Sequence, residues 1–297
     1  MNTDQNIKIS MIVPVFNGII FLKKFIDVIS ISNKNMEIIF VDNGSTDKSF
    51  EFLLESASNN SLIKVLKYEK KQSSYAARNF GAKFAKGEII AFTDIDCILT
   101  ESYFKFVKNI KEFGSDILLT GPIEIFFKNK NIYEIFDKNT YLLQEQYAKN
   151  NYAATANLIV SQKIFKEVGG FPEFVSGGDN QFCKKCLKKG YNILFNNQLK
   201  VLHPPRDTYA EHIKKAKRLG NGHGESFINS NPSFISYVCM YLKQIMLIIL
   251  PLNSARIFLR IKSNHTLGLR DALKIIYLCL AVNIYQRLEI IKTILRR

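Results

Sequence analysis

The sequence lacks the marks of several function classes. It has no tryptophan, an absence that by itself excludes nothing. Its five cysteines are odd in number and follow no framework spacing. That argues against a disulfide-built fold and for a reducing compartment. Cys183 and Cys186 form a lone C-x-x-C, with no second Cys or His pair at zinc spacing. Their segment reads as helix, where a spacing of three places both on one face. No G-x-G-x-x-G follows the first apolar run, and Phe16-Asn17-Gly18-Ile19-Ile20 carries no Gly- and Lys-rich phosphate loop. A dinucleotide-binding oxidoreductase and a nucleotidyltransferase on an α/β sheet are both disfavoured by that stretch. Met1-Asn2-Thr3-Asp4-Gln5-Asn6 offers neither a basic nor an apolar region, so no signal peptide is expected.

Acidic residues are also scarce. The 297 residues hold 26 Asp/Glu against 41 Lys/Arg, a net charge of +15. From Lys200 to Arg297 there are sixteen Lys/Arg and five Asp/Glu, so most of the excess sits in the last third. A basic surface attracts nucleic acid, anionic lipid or phosphorylated substrates, although a solvated face has the same charge. A non-catalytic nucleic-acid- or membrane-binding module would account for the charge alone. At 47% hydrophobic and 23% charged residues, the chain is globular, with length for one large domain or two modest ones.

The first hundred residues alternate in type. Ile9–Val15, Glu37–Val41, Leu62–Leu66 and Glu88–Thr93 are apolar runs of strand length. Ile19–Ile29 and Ser73–Ala85 have helical patterns, and a third helix follows Asp42-Asn43-Gly44-Ser45-Thr46-Asp47, with Ser45, Thr46 or Asp47 able to cap it. This order predicts an α/β fold with a mostly parallel central sheet flanked by helices. Short strands near Ile117–Gly121, Ala156–Val160 and Asn192–Phe195 follow, with helices near Gln162–Val168, Asn180–Lys188 and Tyr209–Leu219. Gly220-Asn221-Gly222-His223-Gly224 reads as a flexible loop that could bring His223 to phosphates on closing, although an ordinary exposed loop fits the same residues.

In such sheets, ligands bind beyond the carboxyl ends of the strands. Three polar clusters fall there: Phe16-Asn17-Gly18, Asp42-Asn43-Gly44 and Asp94-Ile95-Asp96. At a strand end, residues i and i+2 point to one side. Carboxylates so placed repel unless a cation lies between them, and hard oxygen ligands suit Mg²⁺ or Mn²⁺, which also bridge diphosphates. An exposed acidic turn would have the same triplet. Its place directly after Ile89-Ile90-Ala91-Phe92 gives it weight.

Four segments stand in order: Ile12-Val13-Pro14-Val15-Phe16-Asn17, Val41 to Asp47, Ala77-Arg78-Asn79-Phe80-Gly81-Ala82, and Gly169-Gly170-Phe171 followed by Gly177-Gly178-Asp179. In that order they resemble glycosyltransferase family 2, the inverting enzymes with the GT-A fold. The resemblance covers roughly Lys8 to Arg218. It implies transfer of a sugar from a nucleotide donor, with uridine the expected base, to an acceptor hydroxyl. Pro14, Phe16 and Asn17 would line the base pocket, and Asp42 would bind base or ribose. Arg78 would lie near the diphosphate or stabilise the donor loop, Asp94 would approach ribose or metal, and Asp96 would ligate the metal. Asp179 would be the general base, with the helix N-cap role equally open to it. The family often has Glu-Asp where this chain has Gly178-Asp179, so Gly178 marks an acceptor-side departure. Asn157, in Ala156-Asn157-Leu158, would contact the acceptor. His203 ends a predicted strand; an isolated His is more often structural, but the resemblance implies a metal contact at this place. Lys214, Lys217 and Arg218 would reach diphosphate or lipid phosphate, or simply face solvent.

The division expected is a transferase domain over residues 1–225, with a nucleotide half (1–100) and an acceptor half (101–225), then a basic helical tail over 226–297. Phe234–Leu252 is long enough to span a bilayer, but Lys243 and Gln244 sit at its middle. A central Lys costs about 2.5–3.5 kcal/mol on the insertion scale. Leu273, Tyr277, Leu280, Ile284, Leu288, Ile291 and Leu295 form an apolar stripe on a final helix that also bears Lys274, Arg287 and Lys292. Such a helix either packs on the catalytic domain or lies in a membrane interface. The coincidence of basic excess and apolar stripes favours peripheral contact at the cytoplasmic face of the cell membrane. The acceptor expected there is a lipid-linked or envelope glycan. No nucleic-acid partner is expected.

Overall fold

Parallel strands buried on both faces need near-continuous apolar runs, and the three central runs supply them. A computed structural model describes residues 8–29, 36–110 and 117–296. The N-terminal stretch Met1–Asn6 lies outside the described residues. In chain order the elements are β1 (Ile9–Val15), α1 (Ile19–Ile29), β2 (Met36–Asp42), α2 (Ser49–Ser58), β3 (Ile63–Lys67), α3 (Ser74–Ala82), β4 (Ile89–Thr93), β5 (Ile98–Leu99), α4 (Glu101–Lys108), β6 (Ile117–Thr120) and β7 (Ile123–Ile125). Then come α5 (Ile132–Thr140), α6 (Gln144–Lys149), β8 (Asn157–Ser161), α7 (Gln162–Val168), α8 (Gly178–Lys188), β9 (Asn192–Phe195), β10 (Val201–His203), α9 (Tyr209–Ile228), α10 (Phe234–Ile249), α11 (Leu252–Asn264) and α12 (Leu269–Leu295).

The chain divides into two compact units. The first comprises residues 1–124, 142–173 and 178–203; the second comprises 125–141, 174–177 and 204–297. In the first, a seven-stranded sheet has the order β3-β2-β1-β4-β8-β6-β9. β1 pairs in parallel with β2 and β4, β2 with β3, and β6 with β9, while β8 runs antiparallel between β4 and β6. The mostly parallel sheet read from the sequence is therefore present. The strand order reverses direction between β1 and β4, which makes the crevice beyond their carboxyl ends the expected ligand position. Pairing of β1 with β4 ends at Ile12 and Phe92, so both strand tips emerge there unpaired with each other.

The core fills both faces of the sheet. On one face Phe92, Phe165, Phe171 and Phe182 form a buried cluster, with ring centroids of Phe171 and Phe182 4.7 Å apart and of Phe92 and Phe171 4.9 Å apart. Each such pair adds about 0.5–1.5 kcal/mol beyond burial. The cluster anchors α8, whose first turn carries Asp179.

The helix after Asp47 starts at Ser49, and of the three capping candidates Asp47 is the one that accepts from the Ser49 amide, at 3.0 Å; it also accepts from the Ile19 amide at 3.2 Å. Two local expectations change. In the second unit, the supposed loop Gly220–Gly224 is interior to α9. Its glycines allow close approach: a Cβ on Gly220 would meet the Gln286 carbonyl at 2.4 Å, and one on Gly224 would meet Thr293 at 2.6 Å. His223 thus sits on a helix, with Nδ1 3.4 Å from the Gln286 amide nitrogen, rather than on a closing loop. Finally, the apolar run at Phe234–Leu252 breaks at Leu250-Pro251, where proline cannot continue the hydrogen-bond ladder.

Candidate active site

Residues that reach the crevice of the first unit do so from strand tips and from the helices α3 and α8. At the tip of β1, Asn17 adopts φ +50°. Its Oδ1 accepts from the Thr46 amide at 2.8 Å and the Asp47 amide at 3.3 Å, and its own amide donates to Ser45 Oγ at 3.0 Å. Asn17 therefore ties the loop after β1 to the loop after β2. Phe16, beside it, is 48% exposed, an aromatic face available to a base. Pro14 is paired with Val41 inside the sheet.

Asp42, at the end of β2, is buried. Its Oδ1 accepts from the amides of Gly44 and Ser45, at 3.2 and 3.1 Å, while Oδ2 is buried with no protein partner. A buried acceptor without a donor costs about 1–3 kcal/mol, so Oδ2 is poised for a ligand hydroxyl or N–H. The neighbouring Asn43 is a structural residue that the sequence did not reveal. Its side chain donates to the carbonyls of Tyr68 and Lys71, both at 2.9 Å, and accepts from the Ser73 amide at 2.8 Å. It fixes the approach to α3, which Ser73 caps.

From α3, the buried Arg78 donates to Asp94 Oδ1. Its guanidinium also lies 5.7 Å from the Tyr75 ring centroid. Arg78 Nε is buried without a protein acceptor.

The chain leaves β4 through Asp94-Ile95-Asp96 and enters β5, which pairs antiparallel with β10. The register, Leu99 opposite Val201 and Ile98 opposite Leu202, brings His203 alongside the triplet. His203 Nε2 is 3.5 Å from Asp96 Oδ2. One ligand atom each from Asp94, Asp96, Cys97 and His203 lies within 4.8 Å of the others. Asp96 Oδ1 is buried with no partner in the protein. Two carboxylates and an imidazole, with one carboxylate oxygen unsatisfied, fit a Mg²⁺- or Mn²⁺-sized ion. Cys97, missed in the sequence, is less suited. Its thiol faces the Ala156 carbonyl at 3.9 Å, and burial, with Asp96 and Asp94 adding to it, pushes it well above the usual thiol range.

Asp179 occupies the first turn of α8 and is buried. Oδ1 accepts from the Asn180 amide at 2.9 Å, and Oδ2 accepts from the Tyr152 hydroxyl at 3.1 Å. The Tyr75 hydroxyl donates to the same carboxylate. Burial raises its pKa; the Asn180 amide, the two phenols and the Arg78 charge pull in the other direction. Neither tyrosine stood out in the sequence, because both reach Asp179 only through the fold. Gly178 has no room for a side chain: a Cβ would lie 2.6 Å from the Pro172 carbonyl and 2.8 Å from the Tyr75 ring. The Tyr75 ring thus occupies the space beside the aspartate.

Asn157 lies at the start of β8, 1% exposed. Its amide nitrogen donates to the carbonyls of Leu199 at 2.6 Å and Gly121 at 3.1 Å. That nitrogen binds the fold together, and Oδ1 is its remaining buried acceptor. Lys214, Lys217 and Arg218 lie in the second unit, on α9.

Comparison with known proteins gives four matches. The model of the family described as glycosyl transferase family 2 matches residues 10–169. Glycosyltransferase AglE of Haloferax volcanii is 32% identical over 72% of this chain and 72% of its own length. The minor teichoic acid biosynthesis protein GgaB of Bacillus subtilis is 24% identical over 78% of this chain, which spans only 27% of GgaB. Among solved structures, mannosyltransferase PcManGT of Pyrobaculum calidifontis, in complex with GDP-Man and Mn²⁺, shares the fold with a TM-score of 0.61 at 16% identity. That alignment covers 97% of this chain and 87% of PcManGT.

Proposed function

The chain belongs to glycosyl transferase family 2 and is a glycosyltransferase; from that premise we propose that it transfers a sugar with inversion from a nucleoside diphosphate donor to an acceptor hydroxyl. The observation that carries this reading is the pair of buried, unsatisfied carboxylate oxygens, Asp42 Oδ2 and Asp96 Oδ1, beyond the ends of β2 and β4, the two strands that flank β1. One suits a nucleoside and the other a cation.

In this reading Phe16 offers its ring to the base, Pro14 and Asn17 shape the loop beneath it, and Asp42 takes a hydrogen bond from base or ribose. Asp94 faces the ribose or metal and is held in place by Arg78. Asp96 and His203 would hold Mg²⁺ or Mn²⁺, which would supply charge stabilisation for a departing diphosphate. Asp179 accepts the proton of the acceptor hydroxyl as that oxygen attacks the anomeric carbon from the side opposite the leaving group. Gly178 and Asn157 belong to the acceptor side, Gly178 through backbone alone. No covalent sugar intermediate is needed.

The functional division proposed is a transferase domain over residues 1–225 and a helical tail over 226–297. The acceptor proposed is a lipid-linked or cell-envelope glycan, at the cytoplasmic face of the membrane. The similarity to GgaB, a minor teichoic acid biosynthesis protein, supports that acceptor class. Uridine is the base to test first.

Calorimetric titration of the intact chain with nucleoside diphosphates tests the reading. Binding is expected only weakly without metal and strongly with Mn²⁺. Absence of binding, or binding indifferent to metal, overturns it.

A further inference from the structure

Helix α10 is apolar nearly all round: Met240, Leu247 and Ile248 are half-buried, and a second apolar stripe is left exposed. Of its sixteen residues only Gln244 is buried, and Gln244 is polar. Its Oε1 accepts from Arg287 Nη1 at 3.1 Å, and Arg287 Nε reaches Asn283 Oδ1 at 3.4 Å. Asn283 in turn donates to the Leu247 carbonyl at 2.9 Å. The inward side of α10 is thus joined to α12 by amides and a guanidinium. The outward side carries Ile235, Val238, Leu242, Met246 and Ile249, at spacings of three and four, each at least 42% exposed. Leu252, 62% exposed, continues the apolar surface into α11. A helix in water turns its apolar residues to the core; this one also leaves a continuous apolar stripe exposed.

The charge around the stripe shows what covers it. No Asp or Glu occurs from Ser226 to Arg270, while Lys243, Arg256, Arg260, Lys262 and Arg270 fall within that stretch. A second copy of the chain would set like charge against like charge. Anionic lipid headgroups would complement it, and lysine and arginine stems can lie along apolar surface with the charge at the phosphate level. Among the described residues no single helix is long and apolar enough to cross a membrane, and α10 and α11 are bent by 42° at their junction. An apolar stripe with basic flanks and a break suits lying in the interface rather than spanning.

We propose that the outward face of α10, continued by the start of α11, is a bilayer-contact surface that seats in the headgroup region of anionic membranes. This deepens the membrane-face placement proposed above and rests on it for context. Its physical basis is the exposed apolar stripe of α10 with a flanking stretch that carries cations and no acid.

The absence of tryptophan provides a clean probe, since Leu242→Trp introduces the only indole. The full-length variant would be mixed with vesicles of phosphatidylcholine alone or with added phosphatidylglycerol. Blue-shifted emission is expected, quenched more by shallow than by deep brominated lipid. Anionic vesicles should bind roughly thirtyfold more tightly if two cations engage at about 1 kcal/mol each, and salt should reduce the difference. A Leu242→Glu/Met246→Glu double variant should lose vesicle binding while keeping the parent's helical circular dichroism and Mn²⁺-dependent nucleotide binding. An indole already shielded in a stable dimer without lipid overturns the inference in favour of self-association. Strongest quenching by deep brominated lipid overturns it in favour of spanning, and no response to vesicles overturns it outright. Nucleotide titration of the same samples separates the two readings, since vesicle binding without nucleotide binding sinks only the donor site.

Discussion

Arg78, on α3, donates through Nη2 to Asp94 at the tip of β4, with only 3% of its side chain in contact with solvent against 35% for Asp94. A buried guanidinium thereby fixes an accessible carboxylate at the mouth of the crevice. Lysine lacks the planar fork and would place its charge elsewhere. Arg78→Lys is therefore expected to reduce kcat/KM by about 100-fold, the scale of an ångström-sized misplacement. Loss of the charged hydrogen bond should also lower stability by about 1–3 kcal/mol. Steady-state kinetics and urea unfolding check the two effects separately, and wild-type kinetics in the Lys variant would remove Arg78 from the site.

The base proposed at Asp179 carries a stability penalty with a definite sign. Burial raises its pKa, so the folded chain binds that proton more tightly than the unfolded chain does. Stability then falls as pH rises from the unfolded value, about 3.9, through the raised folded value, and the penalty stays in place above it. Asp179→Asn removes the charge but keeps the shape. At pH 7 it should be at least as stable as the parent, yet transfer should fall by about 10²–10⁴-fold, the share of a general base. Thermal melts and transfer assays on the same preparation decide the matter; surviving transfer removes Asp179 from the base role.

Tyr152 tests how that carboxylate is held. Its hydroxyl donation to Oδ2 favours the ionised form. Tyr152→Phe removes the donor, so the acid limb of the kcat/KM profile should move to higher pH. A purely structural loss would instead lower activity evenly across the pH range.

For the proposed metal site, the candidate ligands separate into hard donors and the adjacent thiol. Asp96→Asn and His203→Ala should each weaken Mn²⁺ binding by at least about tenfold, as loss of a supporting group alone does. Cys97→Ser should leave it nearly unchanged, because Sγ is turned to the Ala156 carbonyl. Titration of Mn²⁺ by electron paramagnetic resonance reads all three, and a large effect in Cys97→Ser would call for a softer ion.

What the sequence made legible follows from where the physics is local. Apolar runs placed β1, β2 and β4, and polar residues at their ends placed Asp42, Asp94 and Asp96 at strand tips. The partners of those residues are non-local. His203 meets Asp96 only through the β10–β5 register, and Tyr75 and Tyr152 meet Asp179 across gaps of 104 and 27 residues. Periodicity also finds a stripe without saying which way it faces. On α12 the stripe with Leu273, Tyr277 and Leu288 is exposed, while Ile275, Leu278 and Val282 make the buried side.

The glycines of α9 show the same ambiguity in a form that a single substitution resolves. Glycine in a helix costs about 1 kcal/mol relative to alanine, so Gly220→Ala would stabilise an unpacked helix. Here the added Cβ meets backbone, the Gln286 carbonyl at 2.4 Å, and a backbone atom cannot rotate aside as a side chain can. Overpacking costs typically about 1–3 kcal/mol, which exceeds the propensity gain at most values. Gly220→Ala should therefore lower the urea midpoint with the m-value unchanged, although it improves the helix as a helix. A raised midpoint would mean that α9 and α12 do not approach so closely. The gain would then be that of an unpacked helix, as propensity alone predicts.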